Sequence, residues 1–154
     1  NNFVRKLKVC KFNTYDLESG WKIHISEYVI NSVCEFVNQS VENMGLWIGC
    51  IDNNLKRITV VDTYIPPDNL RAENKVIGGI QGVNKIIVSC EKKSCGIIRY
   101  IGEWHTHPSG RAIPSELDKK TFAEISKLGK ISLMTIIGKS EVGNWVIDGE
   151  EKYE

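Results

Sequence analysis

The order of segments in this sequence predicts a mixed fold, α+β or α/β, built on a largely antiparallel sheet. Two observations carry that expectation. Short segments with period-two alternation or a β-branched, apolar character recur at 21–25, 45–51, 57–65, 97–104, 131–137 and 142–148. Between them fall two stretches, about 26–39 and 115–128, whose apolar residues repeat at helical spacing. With 154 residues, the chain is expected to form a single domain over 1–154 around one core.

Each element has its own local reason. Residues 3–12 alternate loosely through Val4, Leu7 and Val9 and predict a first strand. A turn is expected over 13–20. Trp21, Ile23 and Ile25 then alternate with Lys22 and His24, the pattern of a half-buried strand partnering the first. Ser26 stands where a helix N-cap belongs, Glu27 suits the first turn, and Val29, Ile30, Val33, Phe36 and Val37 share one helical face. A hairpin follows, 45–51 and 57–65 around Asn53-Asn54, with Ile58, Thr59, Val60 and Val61 in its second strand and Pro66-Pro67 ending it. Residues 68–82 are polar and glycine-rich and read as a mobile loop. Residues 84–93, with Ile86, Ile87 and Val88, fit helix or strand and lean to helix. Strand 97–104 enters a histidine-rich turn, helix 115–128 carries Leu117, Phe122, Ile125 and Leu128 on one side, and two strands close the sheet.

Composition excludes several classes. Hydrophobic residues make up 42% and charged residues 25%, as in ordinary globular proteins, so disorder, collagen-like repeats and coiled coils are poor readings. No apolar run approaches the roughly 20 residues of a membrane helix. Lys+Arg number 20 against 19 Asp+Glu, and the basic residues are scattered, so no nucleic-acid partner is expected. Five cysteines form no CxxC pair: Cys34 and Cys50 read as small buried hydrophobes, and Cys90 and Cys95 lack a second pair to complete a thiolate site. With no signal peptide in sight, a reducing, cytoplasmic location is expected.

The chemistry concentrates in Gly102-Glu103-Trp104-His105-Thr106-His107-Pro108. On an extended strand end, residues two apart face the same side, so both imidazoles can converge on one point. If Ser115 caps the next helix, Asp118 sits in its first turn and points back toward the loop. Two imidazoles and a carboxylate make a zinc site whose fourth position stays open to water. A His-x-His pair alone is more often superficial or structural, and Ser-x-x-Asp at a helix start is ordinary capping. Together at this spacing they are far more specific. Glu103 shares the strand parity of His105 and so faces the same side. His24 reads as solvent-exposed, and Trp21, Trp47, Trp104 and Trp145 as core or cleft wall.

His105-Thr106-His107, seven residues, Ser115, two residues, Asp118 resembles the JAMM (MPN+) metallopeptidase motif H-x-H-x(7)-S-x-x-D, and Trp104 and Pro108 beside it resemble that family too. Upstream, Glu42-Asn43-Met44-Gly45-Leu46-Trp47-Ile48-Gly49 resembles the family's E-x-x-G-x-x-x-G stretch. In element order the resemblance runs from about Trp21 to Asp148. It implies an α+β MPN (JAB) fold, a curved, mostly antiparallel sheet flanked by helices at about 26–39 and 115–128. It also implies one Zn²⁺ on His105, His107 and Asp118, with Glu42 as general base and Ser115 donating to the developing oxyanion. Glu103 is a rival for the base, and the resemblance favours Glu42; Glu103 and Trp104 are then candidates for supporting the ligands from behind.

Tyr100 through Pro108, and Ser19-Gly20-Trp21-Lys22-Ile23, are similar to bacterial JAB-domain proteins found beside ubiquitin-like activating and conjugating enzymes, including those of anti-phage cyclic-oligonucleotide operons. This resemblance implies a peptidase or isopeptidase acting after the C-terminus of a ubiquitin-like modifier. Its partners would be the modifier or its conjugate, the operon's conjugation enzymes, and a nucleotidyltransferase or another cytosolic protein as target. The modifier's tail would be held extended at a sheet edge. Met44-Gly45 replaces the usual glycine pair, and 68–82 reads as an insertion able to gate the site. Ser109-Gly110 resembles RadC-like proteins, which the balanced charge and the Gly-Glu-Trp lead-in fit poorly. Two alternatives remain: a non-catalytic MPN scaffold, whose members typically lose ligands that this chain keeps, and a peptidase that processes a sulfur carrier.

Overall fold

The computed structural model describes residues 11–149. Most of the strand expected over 3–12, and Cys10, lie outside the described residues. The elements are β1 (Phe12–Asp16), β2 (Lys22–Ser26), α1 (Glu27–Cys34), a 3₁₀ turn (Glu35–Asn38), β3 (Met44–Asp52), β4 (Arg57–Tyr64), β5 (Leu70–Arg71), β6 (Val76–Ile77), α2 (Val83–Lys93), β7 (Arg99–Thr106), α3 (Glu116–Ser126), β8 (Ser132–Ile137) and β9 (Val142–Ile147). Seven strands form one sheet in the order β1-β2-β4-β3-β7-β8-β9. The β2–β4 and β7–β8 pairs are parallel and the other pairs antiparallel, so the fold is α+β with a mostly antiparallel sheet.

Curvature enters beside the central strand. The register of β3 shifts against β4 between Ile48 and Gly49, and against β7 between Trp47 and Ile48, leaving Val61 and Ile101 as extra residues on the neighbouring strands. Such bulges bend and twist a sheet. The bulge on β7 also resets its facing: Ile101 and Trp104 turn into the core, whereas Glu103 and His105 line a cleft on the opposite side. Gly102 makes this possible. Its φ is +154°, and a Cβ there would strike the carbonyl oxygen of Leu133 on β8.

Apolar residues segregate to the two faces of the sheet. Trp21, Ile23, Ile25, Trp47, Ile58 and Leu133 pack with Val29, Ile30 and Val33 of α1. Met134, Ile136 and Ile147 pack with Phe122 of α3. The two central tryptophans bury their polar edges only because each finds a partner. The Trp47 indole N–H donates to Thr135 Oγ1 at 2.9 Å, and the Thr135 hydroxyl donates to Asn144 at 2.7 Å. The Trp104 N–H donates to Thr63 Oγ1 at 2.7 Å. Gly45 lies under the Trp104 ring, where a Cβ would stand 2.6 Å from the indole nitrogen. Gly45→Ala is therefore expected to destabilise by about 1–3 kcal/mol through overpacking, read from urea unfolding; an unchanged midpoint would show that the ring moves freely.

Several expectations are corrected. The strand Phe12–Asp16 runs four residues into the stretch 13–20 where a turn was expected, because an edge strand needs only one packed side; Thr14 there bonds the half-buried His24 at 3.1 Å. The helix expected over 26–39 ends at Cys34 and tightens into the 3₁₀ turn, and the Ser26 side chain makes no capping bond. Instead the Glu27 N–H donates to the Lys11 carbonyl at 2.9 Å. Residues 68–82 hold the β5–β6 hairpin, not a structureless loop: the Asp68 carboxylate accepts from the Ile80 and Gln81 N–H groups and Asn69 donates to Met44 O. Cys34, Cys50 and Cys90 are only half-buried and Cys95 is exposed. Leu117 and Leu128 are exposed, so α3 buries Phe122 but not the whole predicted side. Helix is the outcome at Val83–Lys93. Among the described residues no helix is long and apolar enough to cross a membrane.

Candidate metal centre and cleft

The end of β7 and the start of α3 meet at one point. His105 and His107 project from one side of the strand end, and their Nε2 atoms stand 3.2 Å apart. Asp118 lies in the first turn of α3, with Oδ1 3.1 Å from His105 Nε2 and Oδ2 3.2 Å from His107 Nε2. Its direction is set by a reciprocal capping box: the Ser115 N–H donates to Asp118 Oδ2 at 2.8 Å and the Asp118 N–H donates to Ser115 Oγ at 3.1 Å. One Ser115 lone pair is thus used in capping, and its hydroxyl proton stays available to a further acceptor.

This donor set fits a zinc ion. Among the described residues His105, His107 and Asp118 are the one group of three metal-capable side chains that converge. Ligands about 2.0–2.1 Å from a tetrahedral zinc stand roughly 3.3 Å from one another, close to the spacings found. The setting of His107 suits the task as well. Its Nδ1 faces the Arg111 carbonyl at 3.1 Å, and a carbonyl only accepts, so Nδ1 carries a proton and Nε2 is the nitrogen that would turn its lone pair to a metal once the proton shared with Asp118 is displaced. The turn that brings Arg111 back is closed by the Gly110 N–H donating to the His107 carbonyl at 3.2 Å.

Glu42 reaches the centre from the irregular stretch before β3. Its Oε1 stands 4.0 Å from His107 Nε2. It joins His105, Asp118, Glu103, Lys75 and Leu117 in lining a cleft of about 310 Å³ between the β5–β6 hairpin and α3. Electrostatics divide the two site carboxylates. Burial raises the Glu42 carboxyl above its ordinary range, an effect only partly offset by His105 and His107. Burial also pushes on Asp118, but hydrogen bonds to both imidazoles and from the Ser115 N–H outweigh it and hold that carboxyl well below the usual range. His107 is raised, chiefly by its bond to Asp118. In the metal-free protein Glu42 is therefore expected to keep its proton at pH values where exposed glutamates, near about 4.3, have lost theirs. A ¹³C-detected titration giving 4.3 or below for Glu42 would contradict this.

Glu103 faces the cleft as its parity suggests, but its carboxylate accepts from the Tyr100 hydroxyl at 3.1 Å. Burial raises its carboxyl, with Tyr100 and His105 opposing. Trp104 lies fully buried with its indole turned to Thr63, so it forms the wall behind the strand. The Trp145 ring packs at a tilt against Phe122, centroids 5.9 Å apart, and Cys90 and Cys95 take no part in the cluster. Sequence reasoning missed Asn43, Arg71 and Thr106, which hold the Glu42 segment, and the Arg111 carbonyl, which sets a tautomer. For Asn43 and Thr106 the only available signal was position next to motif residues; Arg71, in the segment read as a loop, and a backbone carbonyl leave no signal.

A curved mixed sheet with His-x-His at a strand end and an aspartate in the first turn of the following helix defines a JAB-type MPN fold. The chain belongs to the family of prokaryotic homologs of the JAB domain, which residues 38–148 match. Two relatives are each named CD-NTase/cGAS isopeptidase. The one from Vibrio cholerae serotype O1 is 34% identical over 50 residues, covering 32% of this chain and 32% of that protein. The one from Escherichia coli is 34% identical over 74 residues, covering 48% and 44%. The matched stretches thus span less than half of either relative. The solution structure of protein DSY2949 from Desulfitobacterium hafniense shares the fold, with a TM-score of 0.60 at 19% identity over 86% of this chain and 88% of that one.

Proposed function

We propose that this protein is a zinc-dependent peptidase or isopeptidase that hydrolyses the bond after the C-terminus of a ubiquitin-like modifier. The observation that carries the proposal is the convergence of His105 Nε2, His107 Nε2 and the Asp118 carboxylate within 3.1–3.2 Å, with Glu42 Oε1 4.0 Å from His107. His105, His107 and Asp118 would hold the zinc ion, which would supply Lewis acidity and a water of lowered pKa. Glu42 takes the proton of the attacking water on a carboxylate oxygen and returns it to the leaving amine nitrogen. The Ser115 hydroxyl, with its proton uncommitted, donates to the oxyanion as the carbonyl becomes tetrahedral. The Arg111 carbonyl, facing His107 Nδ1, orients that imidazole so that its Nε2 points at the centre.

The names of the two relatives support an isopeptidase of the systems that modify CD-NTases, which makes a conjugate of such a nucleotidyltransferase the candidate substrate. The cleft between the hairpin and α3 suits the narrow, extended tail of a modifier better than a folded surface. Retention of all three donors and of Glu42 favours an enzyme over a non-catalytic scaffold. The test is cleavage of a ubiquitin-like protein fused through its C-terminal glycine to a reporter. Cleavage that a chelator stops and zinc restores is expected; cleavage indifferent to the chelator would overturn the mechanism.

A further inference from the structure

We infer that Arg71 and Asn43 are positioning residues for Glu42, so that the β5–β6 hairpin fixes the general base against the metal ligands. The inference rests on Glu42 being that base. Glu42 precedes β3, in a stretch with no strand ladder of its own, and its position must come from other bonds. Those bonds run to two elements. On one side the Asn43 N–H donates to Thr106 Oγ1 at 2.9 Å and the Thr106 N–H donates to the Asn43 carbonyl at 2.9 Å. Thr106 is the residue between the two histidine ligands and is fully buried, so this side ties the base segment to the ligand strand.

On the other side the hairpin takes hold. The Glu42 N–H donates to the Ala72 carbonyl at 2.8 Å, and the Arg71 guanidinium Nη1 donates to Asn43 Oδ1 at 2.8 Å. Asn43 is only 2% exposed. A charged donor on a dehydrated amide oxygen is about twice as strong as a neutral pair. The same Nη1 also donates to Gln39 Oε1 at 3.2 Å, and the Asn43 amide donates to Gln39 and to the Val41 carbonyl, so the run up to Glu42 is held at both ends. None of these groups lies among the converging donors. Their loss frees Glu42 to drift while the ligand triangle stays intact.

The test uses the whole protein. Amide exchange by NMR is compared among wild type, Arg71→Ala and Arg71→Lys, beside turnover of the reporter fusion. In Arg71→Ala the Glu42 amide is expected to exchange about tenfold faster or more, the order a charge-assisted bond supports, while the β3 amides of Leu46 and Ile48 keep their protection. Arg71→Lys, which keeps a charged donor, restores part of it. On the fusion, kcat is expected to fall about tenfold to a hundredfold with KM and zinc content unchanged. Arg71→Ala should add nothing in a Glu42→Gln background. An unchanged Glu42 amide overturns the inference, and so does zinc loss in Arg71→Ala or an equal fall in the Glu42→Gln background. A fusion left uncut by wild type counts against the peptidase reading, and the exchange comparison then decides the positioning role alone.

Discussion

Replacing Glu42 with glutamine is expected to lower hydrolysis by about 10²–10⁴-fold while zinc content stays that of the wild type. The substitution keeps the shape of the side chain and an oxygen that accepts hydrogen bonds, and removes only basicity. Glu42 lies outside the ligand triangle, with its nearest oxygen 4.0 Å from His107 Nε2, so the three donors are untouched. Its backbone anchor, the N–H bond to Ala72, does not involve the side chain, and folding stability should change little. Turnover of the reporter fusion and zinc per chain are read on the same samples. Undiminished turnover would remove Glu42 from the mechanism and turn attention to Glu103, the other glutamate lining the cleft. Lost zinc would show that Glu42 is a ligand instead.

The second large effect is expected at Asp118. Asp118→Ala removes one of three donors and one half of the α3 capping box together. Metal binding should fall to a small fraction of wild type. Stability should fall by two routes: about 1 kcal/mol from the lost cap, and the linkage term, about 2.7 kcal/mol where zinc stands at a hundredfold its Kd. Ser115→Ala separates them, since it removes the hydroxyl that accepts the Asp118 N–H and leaves the donors in place. Thermal melts with and without chelator give the answer. Wild type and Ser115→Ala should lose stability on chelation, and Asp118→Ala should not respond. A chelator response retained by Asp118→Ala would mean that the metal is held elsewhere.

The residues of the candidate centre were legible because strand parity and helix-cap spacing are local rules. His105 and His107 share a side by period two, and Asp118 falls at the third helical position after Ser115. Parity held between Glu103 and His105 because the bulge that breaks it lies upstream, at Ile101. The fold class was legible from alternation and periodicity. What escaped depends on distant pairing. Phe12–Asp16 is polar in sequence and becomes a strand only because β2 pairs with it. The hairpin within 68–82 has two-residue strands, too short to leave a periodic pattern, and its place is set by Asp68, Asn69 and Arg71 reaching residues well away in the chain. Helix α1 stops early although its apolar pattern continues through Phe36 and Val37, since a 3₁₀ turn still packs both against the core.

Every role proposed for the cleft depends on His105, His107 and Asp118 holding zinc. Elemental mass spectrometry on untagged protein purified without chelator decides the point. Close to one zinc per folded chain is the predicted result. Folded protein that carries no zinc, and takes up none when supplied with it, would show that the three side chains are not a zinc site.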